Sequence, residues 1–215
     1  MNIIIAGSTG LIGSLLLKRL SGHELTLVGR RANPDVPANV RQLIGDTADW
    51  PSLMADVRCD VAISTLGSTM AQAGSKAAFA AVDHDAVIAF AKAAKAGGAR
   101  QFMMVSSVGA NAKASNFYLA TKGQAEDGVN AIGFARVDIF RPGLLRGERG
   151  GTVRPVERLM IGLSPITNLL TPRLFDHYRA IDAGDVAGAM AKLVSLEGEG
   201  GFVHHNREMW AATQA

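Results

Sequence analysis

The chain has 215 residues, 48% of them hydrophobic and 19% charged, with a formal net charge of +3. That length supports one sizeable domain with a continuous core, and the composition reads as globular rather than disordered. The basic excess is mild and forms no Lys/Arg run with interleaved aromatics, which argues against a nucleic-acid partner, and the single Cys59 excludes an internal disulfide and a multi-cysteine metal site.

Asn2–Ala6 predicts a strand, because Ile3, Ile4 and Ile5 are branched. It runs into Gly7, Gly10 and Gly13 and then a predicted helix, Gly10–Leu20. Each glycine costs a helix about 1 kcal/mol against alanine, so three in one turn serve geometry. Between a strand and a helix, Gly7 permits a tight turn, Gly10 lets the backbone approach a pyrophosphate and Gly13 lets the helix pack on the strand. Ser8, Thr9, Leu11 and Ile12 complete this candidate cofactor cradle, with the unpaired N–H groups of the helix start facing the anion. The first gap is one residue longer than in the common dinucleotide fingerprint.

The next strand, Glu24–Val28, is followed by Gly29, Arg30 and Arg31, and the first acid is Asp35. An NAD enzyme places Asp or Glu about 20 residues past the glycines to accept from the ribose 2′-OH. Guanidiniums in that place fork a 2′-phosphate instead. The expected cofactor is therefore NADP(H) in preference to NAD(H). After the third strand, Val40–Ile44, Asp46 is a candidate for the adenine amine or, equally, a cap for the predicted helix Trp50–Ala55. After the fourth, Val61–Ser64, come Thr65, Leu66 and Gly67, where the chain stays close to the cofactor.

A long helix is predicted over Ala77–Ala96, with Val82, Ala86, Phe90, Ala93 and Ala94 on one face. Asp83 and Asp85 fall beside that face and are expected in solvent. The strand Gln101–Ser106 ends in a serine pair, Ser106 and Ser107. Tyr118 follows, and Lys122 lies four residues beyond it, leading into the predicted helix Ala120–Ala131. Residues i and i+4 share a helical face. A free phenol titrates near about 10, and an adjacent ammonium lowers that value. A phenol so tuned can exchange a proton with a carbonyl oxygen, while a serine hydroxyl bonds the same oxygen. Spacing does not separate the two serines.

The strand Ala135–Phe140 ends at Arg141, Pro142 and Gly143, followed by Leu144 and Leu145, where a doubly wound sheet places its ligands. Helices are predicted over Val153–Gly162 and Gly184–Leu196, and a further strand over Phe202–His205. Arg154 is a candidate for the cofactor or an acidic substrate group, with a solvated helix charge as the alternative. His204 and His205 are adjacent on a strand and point to opposite faces, so no metal site is expected. Strand–helix alternation predicts an α/β, doubly wound, mostly parallel sheet of the Rossmann type with helices on both faces. One domain spans 1–215, with 147–183 and 197–215 forming a small C-terminal cap on the substrate side.

The segments AGSTGLIG, VSS and YLATK, in this order and spacing, resemble the short-chain dehydrogenase/reductase superfamily. AKAGGARQFMMVSSVGANAKASNFYLATKGQAE and FRPGLLRG resemble its atypical branch, which includes the HIV Tat-interacting oxidoreductase-like proteins and bacterial relatives. The resemblance implies that Tyr118 is the proton donor and acceptor and that Lys122 binds the nicotinamide ribose and tunes the phenol. Ser106 or Ser107 would polarise the substrate, Arg30 and Arg31 would hold the 2′-phosphate, and Pro142, Gly143 and Leu145 would line the nicotinamide pocket. The extended enzymes carry a longer C-terminal substrate domain, whereas about 70 residues follow Gly147 here, so a large nucleotide-sugar substrate is not expected.

The expected function is an NADPH-dependent oxidoreductase acting on a small carbonyl or alcohol. Two readings stay open beside it: a non-catalytic NADP(H)-binding regulator, and an epimerase or dehydratase with tightly held cofactor. A lone thiol, an N-terminus without a signal-peptide pattern and no run of about 20 apolar residues predict a cytoplasmic protein without integral membrane association. A homo-oligomer or a protein partner is left open.

Overall fold

The computed structural model describes residues 1–147, 178–194 and 196–214. Seven strands form one sheet: β1 (Asn2–Ala6), β2 (Glu24–Gly29), β3 (Arg41–Ile44), β4 (Val61–Ser64), β5 (Gln101–Val105), β6 (Arg136–Phe140) and a last strand, Gly200–His204. The order is β3-β2-β1-β4-β5-β6 and then the last strand, and every pairing is parallel. The strand order reverses between β1 and β4, the place where doubly wound sheets open a crevice at their carboxyl ends. A two-residue ladder, β7 (Leu145–Arg146) with β8 (Ile181–Asp182), lies beyond β6. The last strand of the sheet is therefore β9.

Helices cover both faces, and the period-2 alternation of each strand feeds two cores. Ile4, Ala62, Phe102, Met104, Val137 and Ile139 enter one, packed by Trp50 and Met54, by Ala86, Phe90 and Ala94, and by Ala125 and Val129. Ile3, Ile5, Val61, Ile63, Met103 and Phe140 enter the other, packed by Leu16, Leu20, Val186, Met190 and Met209. This two-sided burial is why the strands read as apolar throughout. Burying a side chain such as Phe90 contributes roughly 1.5–3 kcal/mol. Its ring also meets Trp50 edge-on at 6.3 Å and Phe102 at 5.8 Å.

The first core is carried by α2 (Trp50–Leu53), α5 (Ala86–Ala96) and α6 (Phe117–Asn130), and the second by α1 (Leu11–Arg19), α7 (Ala183–Leu193) and α8 (Asn206–Gln214). Among the described residues, no helix is long and apolar enough to cross a membrane.

The long helix expected over Ala77–Ala96 is interrupted. After the short α3 (Met70–Ala73), α4 (Lys76–Ala80) passes through a π-helical turn, Ala81–Asp85, into α5. The wider turn changes which side chains face inward. Asp83 is completely buried, four residues after buried Phe79, whereas Val82 is only partly covered. The expectation of a solvated Asp83 is corrected on that ground.

The two segments expected to form a cap are placed as follows. Residues 200–204 extend the main sheet in register with β6, and α8 packs on α7 behind it. These residues belong to the sheet edge and its helix layer, because the apolar face of α8 buries Met209 in the second core. Most of 147–183, including the predicted helix Val153–Gly162 and Arg154, lies outside the described residues.

Candidate functional site

The glycine turn after β1 is built by close approach. Gly7 has φ +88°, and the amide of Gly10 donates to its carbonyl at 2.9 Å. A Cβ on Gly13 would stand 2.2 Å from the Gly7 carbonyl oxygen and 2.8 Å from Thr65 Oγ1. Thr65, just past β4, latches the turn by donating its hydroxyl to the carbonyls of Ala6 (3.1 Å) and Gly7 (2.9 Å). Gly10 is the extended N-cap of α1 and brings no side-chain cap, so bare amides face the crevice.

A cavity of about 470 Å³ opens beside this turn. Gly10, Leu11 and Ile12 form one wall, Thr65, Leu66 and Gly67 a second, and Pro142, Gly143 and Leu145 a third. Ser106, Ser107, Tyr118 and Lys122 also line it, so the structure brings together thirteen of the candidate site residues expected from the sequence, with Leu144 beside them and Ser68, Thr69, Val105, Val108 and Gly147 added. Gly7 and Gly13 shape the turn from behind. Ser8 is buried and Thr9 exposed, and neither reaches the wall. Arg30 and Arg31 lie exposed on the loop after β2, outside the cavity lining. Asp46 is also exposed outside it, at the N-cap of a 3₁₀ turn, Thr47–Asp49, where its amide donates to Asp49 Oδ2 at 3.2 Å. Asp46 thus occupies the N-cap position of the 3₁₀ turn, while Asp49 is the N-cap of α2.

α6 starts at an Asn116 cap that accepts from the Leu119 amide, and it presents Tyr118 and Lys122 on successive turns toward the cavity. The Tyr118 ring rests on Phe79 at 5.3 Å. Lys122 is buried, with Nζ 2.8 Å from Asp83 Oδ1, whose other oxygen accepts from the Ser68 amide. The π-helical turn thus supplies an anion that holds the ammonium at the cavity wall.

The two serines part company. Ser106 is buried and donates its hydroxyl to Glu126, which also receives two hydrogen bonds from Arg141. Those bonds hold the Arg141 guanidinium above its ordinary value. Ser107 is half-buried at the cavity, and its hydroxyl makes only a long 3.4 Å contact with the Val108 carbonyl. The third wall is fixed from outside: Asn206 accepts from the Gly143 amide at 3.0 Å and donates to the Arg179 carbonyl at 2.7 Å.

Asp83, Glu126 and Asn206 were not among the residues expected from the sequence. Glu126 had a signal, since it stands four residues past Lys122 and eight past Tyr118 on one helical face.

The cradle fits a dinucleotide. Positions 7 and 13 accept no Cβ, and the anion would meet uncapped amides at the start of a nine-residue helix. Gly10, Leu11 and Ile12 would hold a pyrophosphate, and Tyr118 and Lys122 line the same cavity.

Comparisons agree with this geometry. The model of a family described as NAD(P)H-binding matches residues 7–164. The mitochondrial protein FMP52-1 of Scheffersomyces stipitis is 34% identical over 185 residues, covering 80% of this chain and 82% of its own. Among solved structures, UDP-glucose 4-epimerase of Thermus thermophilus in complex with NAD superimposes with TM-score 0.71 at 19% identity, covering 99% of this chain and 82% of its own. Human epimerase family protein SDR39U1 with NADPH gives TM-score 0.66 at 19% identity, covering 95% and 74%. One expectation is overturned: the FMP52 relatives are named mitochondrial, against the cytoplasmic location read from the sequence. A lone buried thiol fits any reducing compartment and does not choose among them.

Proposed function

We propose, because this chain belongs to the NAD(P)H-binding family and has a Rossmann fold, that it is an atypical short-chain dehydrogenase/reductase, an NADPH-dependent oxidoreductase acting on a small carbonyl or alcohol. The observation that carries this reading is the convergence of Tyr118, Lys122 and Ser107 on one cavity with the glycine turn. A nicotinamide bound there supplies or accepts the hydride. Tyr118 gives a proton to the substrate oxygen, or takes it in the reverse direction. Ser107, whose hydroxyl is not committed to a short internal bond, donates to the same oxygen. Ser106 is the weaker candidate, because its hydrogen is given to Glu126. Lys122 holds the ribose hydroxyls. Arg30 and Arg31 receive the 2′-phosphate, which is the support for NADPH over NADH.

The test is Tyr118→Phe assayed across a panel of small aldehydes and ketones. Turnover is expected to fall at least about 100-fold, the usual worth of a positioned proton donor, with NADPH affinity within about twofold of the parent on the same grounds. Full turnover in the variant overturns the role of Tyr118. A parent that binds NADPH and turns over nothing on the panel favours the regulator; cofactor that never exchanges favours the retained shuttle.

A further inference from the structure

The loop that carries Arg30 and Arg31 is not left to itself. Asn33, two residues on, is 4% exposed, and each of its four polar atoms is engaged. Nδ2 donates to the Ser8 carbonyl in the glycine turn at 3.2 Å, and Oδ1 accepts from the Asp35 amide at 3.0 Å. Its backbone amide donates to Gln42 Oε1 at 2.8 Å, and its carbonyl accepts from Gln42 Nε2 at 3.1 Å. One buried residue thus ties the arginine loop both to the turn after β1 and to β3.

We infer that Asn33, braced by Gln42, is a specificity-determining positioning residue for the 2′-phosphate of the dinucleotide. Each of its four polar atoms is already bonded within the protein, and its role is to place the loop rather than to contact the ligand. Its effect is on distance and entropy. A nucleotide whose pyrophosphate rests on the glycine turn has its adenine ribose at a fixed reach from that turn. The Asn33–Ser8 bond fixes the arginine loop to the same reference point. Two long guanidinium side chains on an untethered loop would have to be ordered when the phosphate arrives, and that cost subtracts from affinity. A tethered loop bears it at folding. NADH has no 2′-phosphate, so its binding does not draw on the tether. The inference rests on the NADP(H) reading above and adds to it the device that makes the preference.

The experiment is calorimetric titration of the full chain with NADPH and with NADH. The parent is expected to prefer NADPH; equal affinities sink the cofactor reading and this inference together. With the preference present, Asn33→Ala is expected to weaken NADPH about tenfold, the scale of one or two hydrogen bonds, and to leave NADH within about twofold. Gln42→Met keeps Asn33 and the side-chain length while removing both braces. It is expected to lower the NADPH/NADH ratio in the same direction, and it carries the test if Asn33→Ala does not fold. Equal weakening of both nucleotides identifies a purely structural residue and overturns the inference. A preference unchanged in the folded variants overturns it too, and leaves the cofactor reading standing.

Discussion

Lys122 has two jobs that pull on one ammonium. Its side chain is 5% exposed and its partner Asp83 is 0% exposed, so both charges have left water. Removing one member of such a pair strands the other and costs about 3 kcal/mol or more, whereas removing both leaves no orphan charge. Asp83→Asn and Lys122→Met are each expected to lose about 3 kcal/mol in urea unfolding on that basis. The double variant Asp83→Asn/Lys122→Met is expected to regain most of the loss, giving a strongly non-additive cycle. Its turnover is expected to stay as low as that of Lys122→Met, because the restored stability does not restore a cation beside Tyr118. Additive losses in the cycle would show that the 2.8 Å contact is not an energetic pair. The Cys59 thiol is the opposite sort of buried group. Burial, and after it the Asp60 carboxylate, push it up to about 11, which keeps it a protonated core filler.

At the scale of elements, glycines decide how closely helices approach what they cover. Within α6, Gly123 and Gly128 both forfeit about 1 kcal/mol of helix propensity relative to alanine. A Cβ at Gly123 would lie 2.1 Å from the Ala112 amide nitrogen and 2.3 Å from the Asn111 carbonyl carbon, both backbone. A Cβ at Gly128 would meet the Ile88 Cδ1 at 2.6 Å, the free end of a side chain that can turn away. Overpacking against fixed backbone costs about 1–3 kcal/mol. Gly123→Ala is therefore expected to lower thermal stability and to weaken cofactor binding by shifting Lys122, while Gly128→Ala is expected to be neutral or slightly stabilising. Reversed signs in a thermal scan would refute the packing argument. The same scale explains what was legible beforehand. Strands and helix faces were readable because alternation and 3.6-residue periodicity are local, and so were the glycine turn and the Tyr118–Lys122 pair. The π-helical turn was not, since one widened turn inside Ala77–Ala96 leaves the apolar pattern almost intact while it moves Asp83 inward. Ser106–Glu126 and Asn33–Ser8 join residues 20 and 25 apart; periodicity places Glu126 on the face of Tyr118 and Lys122 but does not name its partner, and it gives no signal for Asn33.

For the whole molecule, the edge of the sheet away from β3 is closed by a buried polar knot. Asp138 on β6 is fully buried and accepts from Gln101 on β5 (2.7 Å) and from Arg136 Nε (2.7 Å) and Nη2 (2.9 Å). His204 Nε2 on β9 lies 2.8 Å from its Oδ1. Gln101 and Arg136 also donate to the carbonyls of Leu193 and Glu197, so the knot joins β5, β6 and β9 to the end of α7 and the chain after it. Burial alone would raise the Asp138 carboxyl; the hydrogen bonds from His204, Arg136 and Gln101, with the charge of Arg136, outweigh it and hold the group below its ordinary value. A carboxyl lowered on folding adds stability above its unfolded value, about 3.9, and that contribution disappears as pH falls through the folded value. At pH 7, Asp138→Asn strands Arg136 and is expected to cost about 3 kcal/mol, or roughly 6–12 °C in Tm for a chain of this size. The gap between the two melting curves should begin to narrow below about pH 4, where the unfolded chain takes up its proton, and close once pH has fallen through the lower folded value, where the parent's own Asp138 is protonated and offers Arg136 no charge either. A Tm gap that stays constant from pH 7 to pH 3 would mean that the ionised carboxylate is not what binds the last strand to the sheet.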